Sequence, residues 1–197
     1  MPPKAQFSKQ QILDTALKIS IESGISTLTV RKLAEKLGCS VAPIYVNFEN
    51  SEALVQAVMD MIRELSWKYA TKSYTDIGFF NIGIGQILFV KDYPLLYMDL
   101  LNNDPHCMTM SDEQAKQMID IMEKDDMLQG LSREQNSDLL LKMSIFTMGL
   151  CLTMTKDEQV LPLEKILSLL EETAHQFIVS LKNNYHDSYT PRTEFHF

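Results

Sequence analysis

The chain has 197 residues, 45% hydrophobic and 22% charged, with a formal net charge of −8. That is enough apolar material for one large or two small cores and too much for a disordered chain. No charged segment followed by an apolar run opens it, and no run of about eighteen apolar residues occurs, so neither a leader nor a membrane span is expected. Three widely separated cysteines, Cys39, Cys107 and Cys151, argue against a disulfide framework and read as free thiols of a cytoplasmic protein.

Ser8-Lys9-Gln10-Gln11 has the form of a capping box, and Ile12, Leu13, Ala16, Leu17, Ile19 and Ile21 predict an amphipathic helix that stops at Gly24. The stretch 29–37 places Val30, Leu33, Ala34 and Leu37 on one face and Arg31, Lys32, Glu35 and Lys36 on the other. Gly38 ends it, Ser40 is a candidate cap, and Pro43 suits the first turn of a short helix over 40–47. Two helices joined by so short a glycine-containing turn are a helix-turn-helix in outline, which points to DNA. Asn50 caps a predicted helix to about residue 72, long enough to connect two domains.

Between Tyr74 and Val90 the apolar pattern is dense, and Gly78, Gly83 and Gly85 predict a kinked or closely packed helix. Asp92-Tyr93-Pro94 opens a short helix through Leu101, and 102–109 reads as a loop. Ser111 to Gln114 and Ser132 to Gln135 repeat the capping-box form, starting helices over about 111–128 and 132–156 with Gly130 between them. Pro162 opens a last helix with an apolar stripe from Leu163 to Leu181, and the tail 185–197 shows no periodicity. No strand pattern or internal repeat is present, so the predicted fold is all-α with about nine helices. The expected division is a helix-turn-helix domain over 1–50 and a helical ligand-binding and dimerisation domain over 51–184.

Residues 8–60 resemble the tetracycline-repressor (TetR) family of bacterial transcription regulators. The resemblance rests on QILDTALKISIESG, LTVRKLAEKLG, SVAPIYVNF and NSEALVQAV occurring in this order at the N-terminus. It implies that Thr29 holds a phosphate from its helix N-terminus, that Arg31 meets a base edge or phosphate, and that Tyr45 and Asn47 reach phosphate or base. Ser40, Val41, Ala42 and Pro43 complete the predicted DNA-binding set, since the start of the second helix meets base edges. Val41, Ala42 and Pro43 offer only apolar contact, for instance with thymine methyl groups, which leaves most hydrogen-bonded discrimination to Arg31 and part of the remainder to DNA shape. Asn47 stands where the family commonly has histidine, and Ser51 where a lysine usually holds a phosphate. The second departure removes a cation beside Glu49 and Glu52 and predicts lowered DNA affinity.

The charges divide in keeping with this. Residues 1–51 hold six Lys/Arg against four acids, and the remainder twelve against twenty-two, so the reading head is mildly basic on an acidic body. The later segment is rich in methionine and aromatic residues, which build adaptable apolar pockets as well as ordinary cores. The family resemblance implies a ligand cavity there, and Trp67, Phe80, Phe89, Tyr93, Tyr97, Met118, Met122, Met143 and Phe146 are its candidate lining. His106 beside Cys107 lacks the spacing of a metal site. No GxSxG, P-loop, GxGxxG or HExxH occurs, so no enzyme, metal or cofactor is expected.

The apolar stripes of the last two helices suit a four-helix bundle between two copies. Together these features predict a repressor that binds a palindromic operator as a homodimer and is released by a small, largely hydrophobic effector. The alternatives are a DNA-binding regulator controlled by a protein partner, and a ligand-binding helical protein with weak DNA recognition.

Overall fold

In the computed structural model, which describes residues 7–103, 111–155 and 161–183, every regular element is helical. Helix α1 (Lys9–Ser23) starts at a reciprocal capping box in which Ser8 Oγ accepts from the Gln11 backbone and Gln11 Oε1 accepts from the Ser8 backbone. It stops at Gly24, whose φ of +80° a β-carbon would oppose. A 3-10 turn (Ile25–Thr27) leads to Thr29, which caps α2 (Val30–Leu37) by accepting from the Lys32 N–H. Gly38, left-handed at φ +69°, closes α2.

Helix α3 (Ala42–Asn47) follows. Its cap position is Val41, with no side-chain cap bond, so the expected cap at Ser40 is corrected by one residue. Helix α4 (Ser51–Ala70) is capped by Asn50, which accepts from Ala53 N–H. Helix α5 runs Gly78–Asp92 and α6 Pro94–Asn103. Thus α5 begins four residues later than its apolar pattern suggests. Residues before it form a turn in which the Asn81 side-chain oxygen accepts from Tyr74 and Thr75 N–H while its amide donates to the Thr75 carbonyl.

Helix α7 (Asp112–Met122) and α8 (Arg133–Met154) both start at the predicted capping boxes on Ser111 and Ser132. The helix expected over 111–128 is interrupted: after Met122 the chain turns, and Asp126–Leu128 forms a separate 3-10 turn. Helix α9 (Leu163–Lys182) has Pro162 at its cap position. Helix α8 is the one described helix with the length and apolar composition to cross a membrane. Its apolar residues include a buried set, Leu139, Leu140, Met143, Leu150 and Cys151, and Lys142 pairs with Asp138 midway along it.

The chain forms two compact units that divide it differently from segments 1–50 and 51–184. The first comprises residues 1–71 with 88–109, the second 72–87 with 110–197, so the boundary falls within α5. In the first unit, Ile12, Ala16 and Ile19 of α1, Leu33 of α2, Ile44 and Phe48 around α3, Leu54, Val58 and Ile62 of α4, and Phe89, Leu96 and Leu100 share one core. The α6 residue Asp99 ties α6 to the reading head, its buried carboxylate accepting from Ile25 N–H at 2.7 Å. Near the end of α4, Tyr69 donates to Asp92 at 2.7 Å and meets Phe89 and Tyr93 edge-on. That carboxylate bond, then burial, raises the Tyr69 phenol above its ordinary range.

In the second unit, Met118, Met122, Leu139, Ile166 and Ala174 are fully buried. Gly78 lies so close to α7 that a β-carbon would fall 2.7 Å from Ile121 Cγ2, and one on Gly83 would fall 3.0 Å from Leu170. The space left by these glycines is therefore filled by side chains of α7 and α9. Asp125 caps α5 from outside: Gly78 and Phe79 N–H donate to its two carboxylate oxygens at 2.9 and 2.7 Å.

Candidate functional site

Helices α2 and α3 and the glycine turn between them form the predicted helix-turn-helix. The short α3 is fastened through Ile44 and Phe48, both buried, and Lys9 of α1 sits over the Phe48 ring at 5.3 Å. With that face held, the 3.6-residue period turns Ala42 and Val46 outward, flanked by Tyr45. Val46 is 73%, Tyr45 51% and Val41 39% exposed.

The structure brings the predicted residues together on the head but gives them different freedom. Ser40, Val41, Ala42 and Tyr45 are exposed, as are Thr29 and Arg31, while Pro43 is half-buried. Arg31 makes no hydrogen bond or ion pair with another described residue, so its guanidinium is available. Asn47 differs from the expectation of an outward reader. It is half-buried, and its amide donates to the Pro43 carbonyl at 2.9 Å and the Phe7 carbonyl at 3.5 Å. Neighbouring cations are also engaged: Lys32 donates to Ser23 and Thr27 hydroxyls, and Lys36 pairs with Glu22 at 3.2 Å. Val46, the most exposed large apolar residue of the head, was not among the expected contacts, although the buried period through Ile44 and Phe48 marks it as outward. At the start of α4, Ser51 Oγ donates to Glu52 at 3.1 Å, an exposed pair that offers a phosphate no cation.

The second unit holds an apolar cavity lined by Phe79, Phe80, Ile82, Gly83 and Gln86 of α5, Leu140, Met143, Ser144 and Thr147 of α8, and Leu170 of α9. Its empty volume is about 320 Å³, counting the space open to solvent at its mouth. The space in which a water-sized sphere fits is about 20 Å³, room for little more than one water molecule, so a larger occupant requires the walls to move apart. Gln86, Ser144 and Thr147 provide three polar groups on otherwise apolar walls, the composition of a small-molecule site.

Of the nine expected lining residues, Phe80 and Met143 line this cavity. Phe89 belongs to the core of the first unit, and Tyr93 and Tyr97 pack against that core. Met118 and Met122 are fully buried, Trp67 is half-buried on α4, and Phe146 is half-buried on α8 outside the lining. The loop with His106 and Cys107 and the tail 185–197 lie outside the described residues.

A family model described as bacterial regulatory proteins, tetR family, matches residues 12–58, which span α1 to the middle of α4. Residues 12–58 thus carry a head of the tetR-family type. The tetracycline repressor protein class D of Escherichia coli is 39% identical over 54 residues, 27% of this chain and 25% of that protein. The regulator TtgR of Pseudomonas putida is 27% identical over 96 residues, 49% of this chain and 46% of that one. The match thus spans about a quarter of the tetracycline repressor's length and centres on the tetR-type head. Over nearly the full length the likeness is one of fold: the crystal structure of TetR from Acinetobacter baumannii AYE superposes with a TM-score of 0.61 at 16% identity, covering 91% of this chain and 98% of that one.

Proposed function

We propose that this chain is a ligand-responsive transcriptional repressor of the tetR family that acts in the cytoplasm as a homodimer on a palindromic operator. The observation that carries the reading is the head itself: α3 anchored by Ile44 and Phe48 with its opposite face bare, beside an exposed Arg31 that has no partner among the described residues. A short helix held from behind and exposed in front is the geometry that enters a major groove, while the preceding helix crosses the backbone. Thr29 at the α2 N-terminus and Tyr45 on α3 suit phosphate contacts that set register.

The dimer reading is supported by α8 and α9. Leu141, Ile145 and Leu152 recur on one face of α8 and are 60%, 59% and 40% exposed, and Val179 of α9 is 42% exposed. Large side chains left open in this way on two long helices suit a second copy packing as a four-helix bundle. Two heads related by a two-fold axis then require a two-fold operator.

The cavity between α5, α8 and α9 supports a small effector with an apolar body and few polar groups. An effector that binds one arrangement of the dimer better shifts the population by its differential affinity and lowers operator occupancy. The pairing of Ser51 with Glu52 in place of a phosphate-binding cation points to modest affinity per head.

Selection of binding sites from random duplex DNA at low and moderate salt tests the reading. A palindromic consensus is expected. The absence of any enriched sequence at either salt overturns it.

A further inference from the structure

The outward face of α3 carries no side chain suited to a bidentate base contact. Asn47, whose amide could read adenine, is turned back onto the Pro43 carbonyl at 2.9 Å. Lys32 and Lys36 are held by Ser23, Thr27 and Glu22. What faces outward, with Tyr45 at its flank, is mainly aliphatic: Val46 at the centre of the face with Ala42, and Val41 at its leading edge. A β-branched side chain has few rotamers to lose on contact, so these groups form a stiff apolar ridge. The major-groove edges of base pairs offer such a ridge one apolar partner, the 5-methyl group of thymine; the other groups there are hydrogen-bond donors and acceptors.

We propose that Val41 and Val46 are specificity-determining residues that read thymine methyl groups, so that each operator half-site carries thymine beneath α3. Arg31 supplies the hydrogen-bonded contact on one side of this ridge. The inference rests on the head being a DNA reader, as proposed above, and narrows it to the chemistry read.

The test replaces thymine by deoxyuridine, one position at a time, in the half-site of the selected operator. This removes the methyl group and leaves pairing and hydrogen-bonding edges intact. Dissociation constants are measured by fluorescence anisotropy at fixed salt for the wild-type chain and for the V41A/V46A variant. In the wild type, at least one position should weaken by about three- to fivefold, the effect of withdrawing one methyl group from an apolar contact. In the variant, that thymine-to-deoxyuridine ratio should fall to about one. Both substituted residues are solvent-exposed, and a thermal melt matching the wild type confirms that the variant is folded. A consensus that emerges but tolerates deoxyuridine everywhere, lacks thymine in the half-site, or keeps its discrimination in the variant overturns this inference and leaves the regulator reading standing. Failure to select any DNA overturns both.

Discussion

Replacing Asp125 by alanine should destabilise the second unit by about 3 kcal/mol. The first N–H groups of a helix have no partner within it. For α5 two of them, on Gly78 and Phe79, are satisfied by the two oxygens of this one carboxylate. Phe79 is buried, so its N–H cannot turn to water when the carboxylate is removed; a charge-assisted bond lost with a buried donor left behind costs about 1.5–3 kcal/mol. Gly78 is half-buried and regains some hydration, adding about 0.5–1 kcal/mol.

Asn at the same position keeps one acceptor, loses the charge that complements the helix N-terminus, and turns an amide donor toward a backbone donor, so D125N should fall between wild type and D125A. Urea unfolding measures this as a midpoint lowered by about 1–2 M for D125A. A D125A midpoint indistinguishable from wild type, or D125N less stable than D125A, would refute the assignment of Asp125 as the cap of α5.

Four further outcomes are expected. Gly78→Ala drives a β-carbon to 2.7 Å from Ile121 Cγ2, and should cost about 1–3 kcal/mol of overpacking, read by the same urea midpoint. Arg31→Ala should relax sequence preference at one half-site position and, where the guanidinium also neutralises a phosphate, reduce the salt dependence by about one ion per head in titrations at several salt concentrations. Ile145→Glu places a charge on the exposed apolar face of α8, and sedimentation should show a shift from the proposed dimer to monomer relative to the wild type. Burial of Asp99 raises its carboxyl above the ordinary value near 3.8, with the Ile25 N–H pulling the other way. The folded chain thus holds that proton more tightly than the unfolded one, so ionised Asp99 weakens folding above its raised pKa, and the penalty disappears as pH falls through that value to about 3.8. Asp99→Asn retains an acceptor for Ile25 and should lack this gain toward acid, seen as the difference between the two proteins' stability–pH curves.

What could be read from sequence was the chemistry that acts over three or four residues. The capping boxes at Ser8, Ser111 and Ser132 are local reciprocal bonds, and Gly24 and Gly38 end helices through their own backbone conformation. The start of α5 was not legible because its cap is 47 residues away along the chain. The cap before α3 was shifted because Ser40 is suited to the role but Val41 takes the position with no side-chain bond. On the head, exposure followed from the helical period, whereas the inward turn of Asn47 depends on carbonyls that only the folded chain brings within reach. For the cavity, apolar composition could not tell which unit an aromatic residue joins: Phe89, four residues after Gly85, lies across the boundary from Phe80. The polar lining by Ser144 and Thr147 carried no signal in a helix otherwise read for its apolar stripe.

The return of residues 88–109 into the first unit bears on how freely such a reading head can be exchanged between proteins. Cutting after α4 would strip Phe89, Leu96 and Leu100 from the core that α1 and α4 share with them, and remove the carboxylate that holds the Ile25 N–H. A head transplanted as residues 1–71 would therefore arrive with a greasy scar and a loosened first turn. A chimera that carries α6 and the end of α5 along with it keeps the donor's own supporting struts, and the natural joint for recombination lies within α5 rather than at the boundary after residue 50 that the sequence pattern suggests.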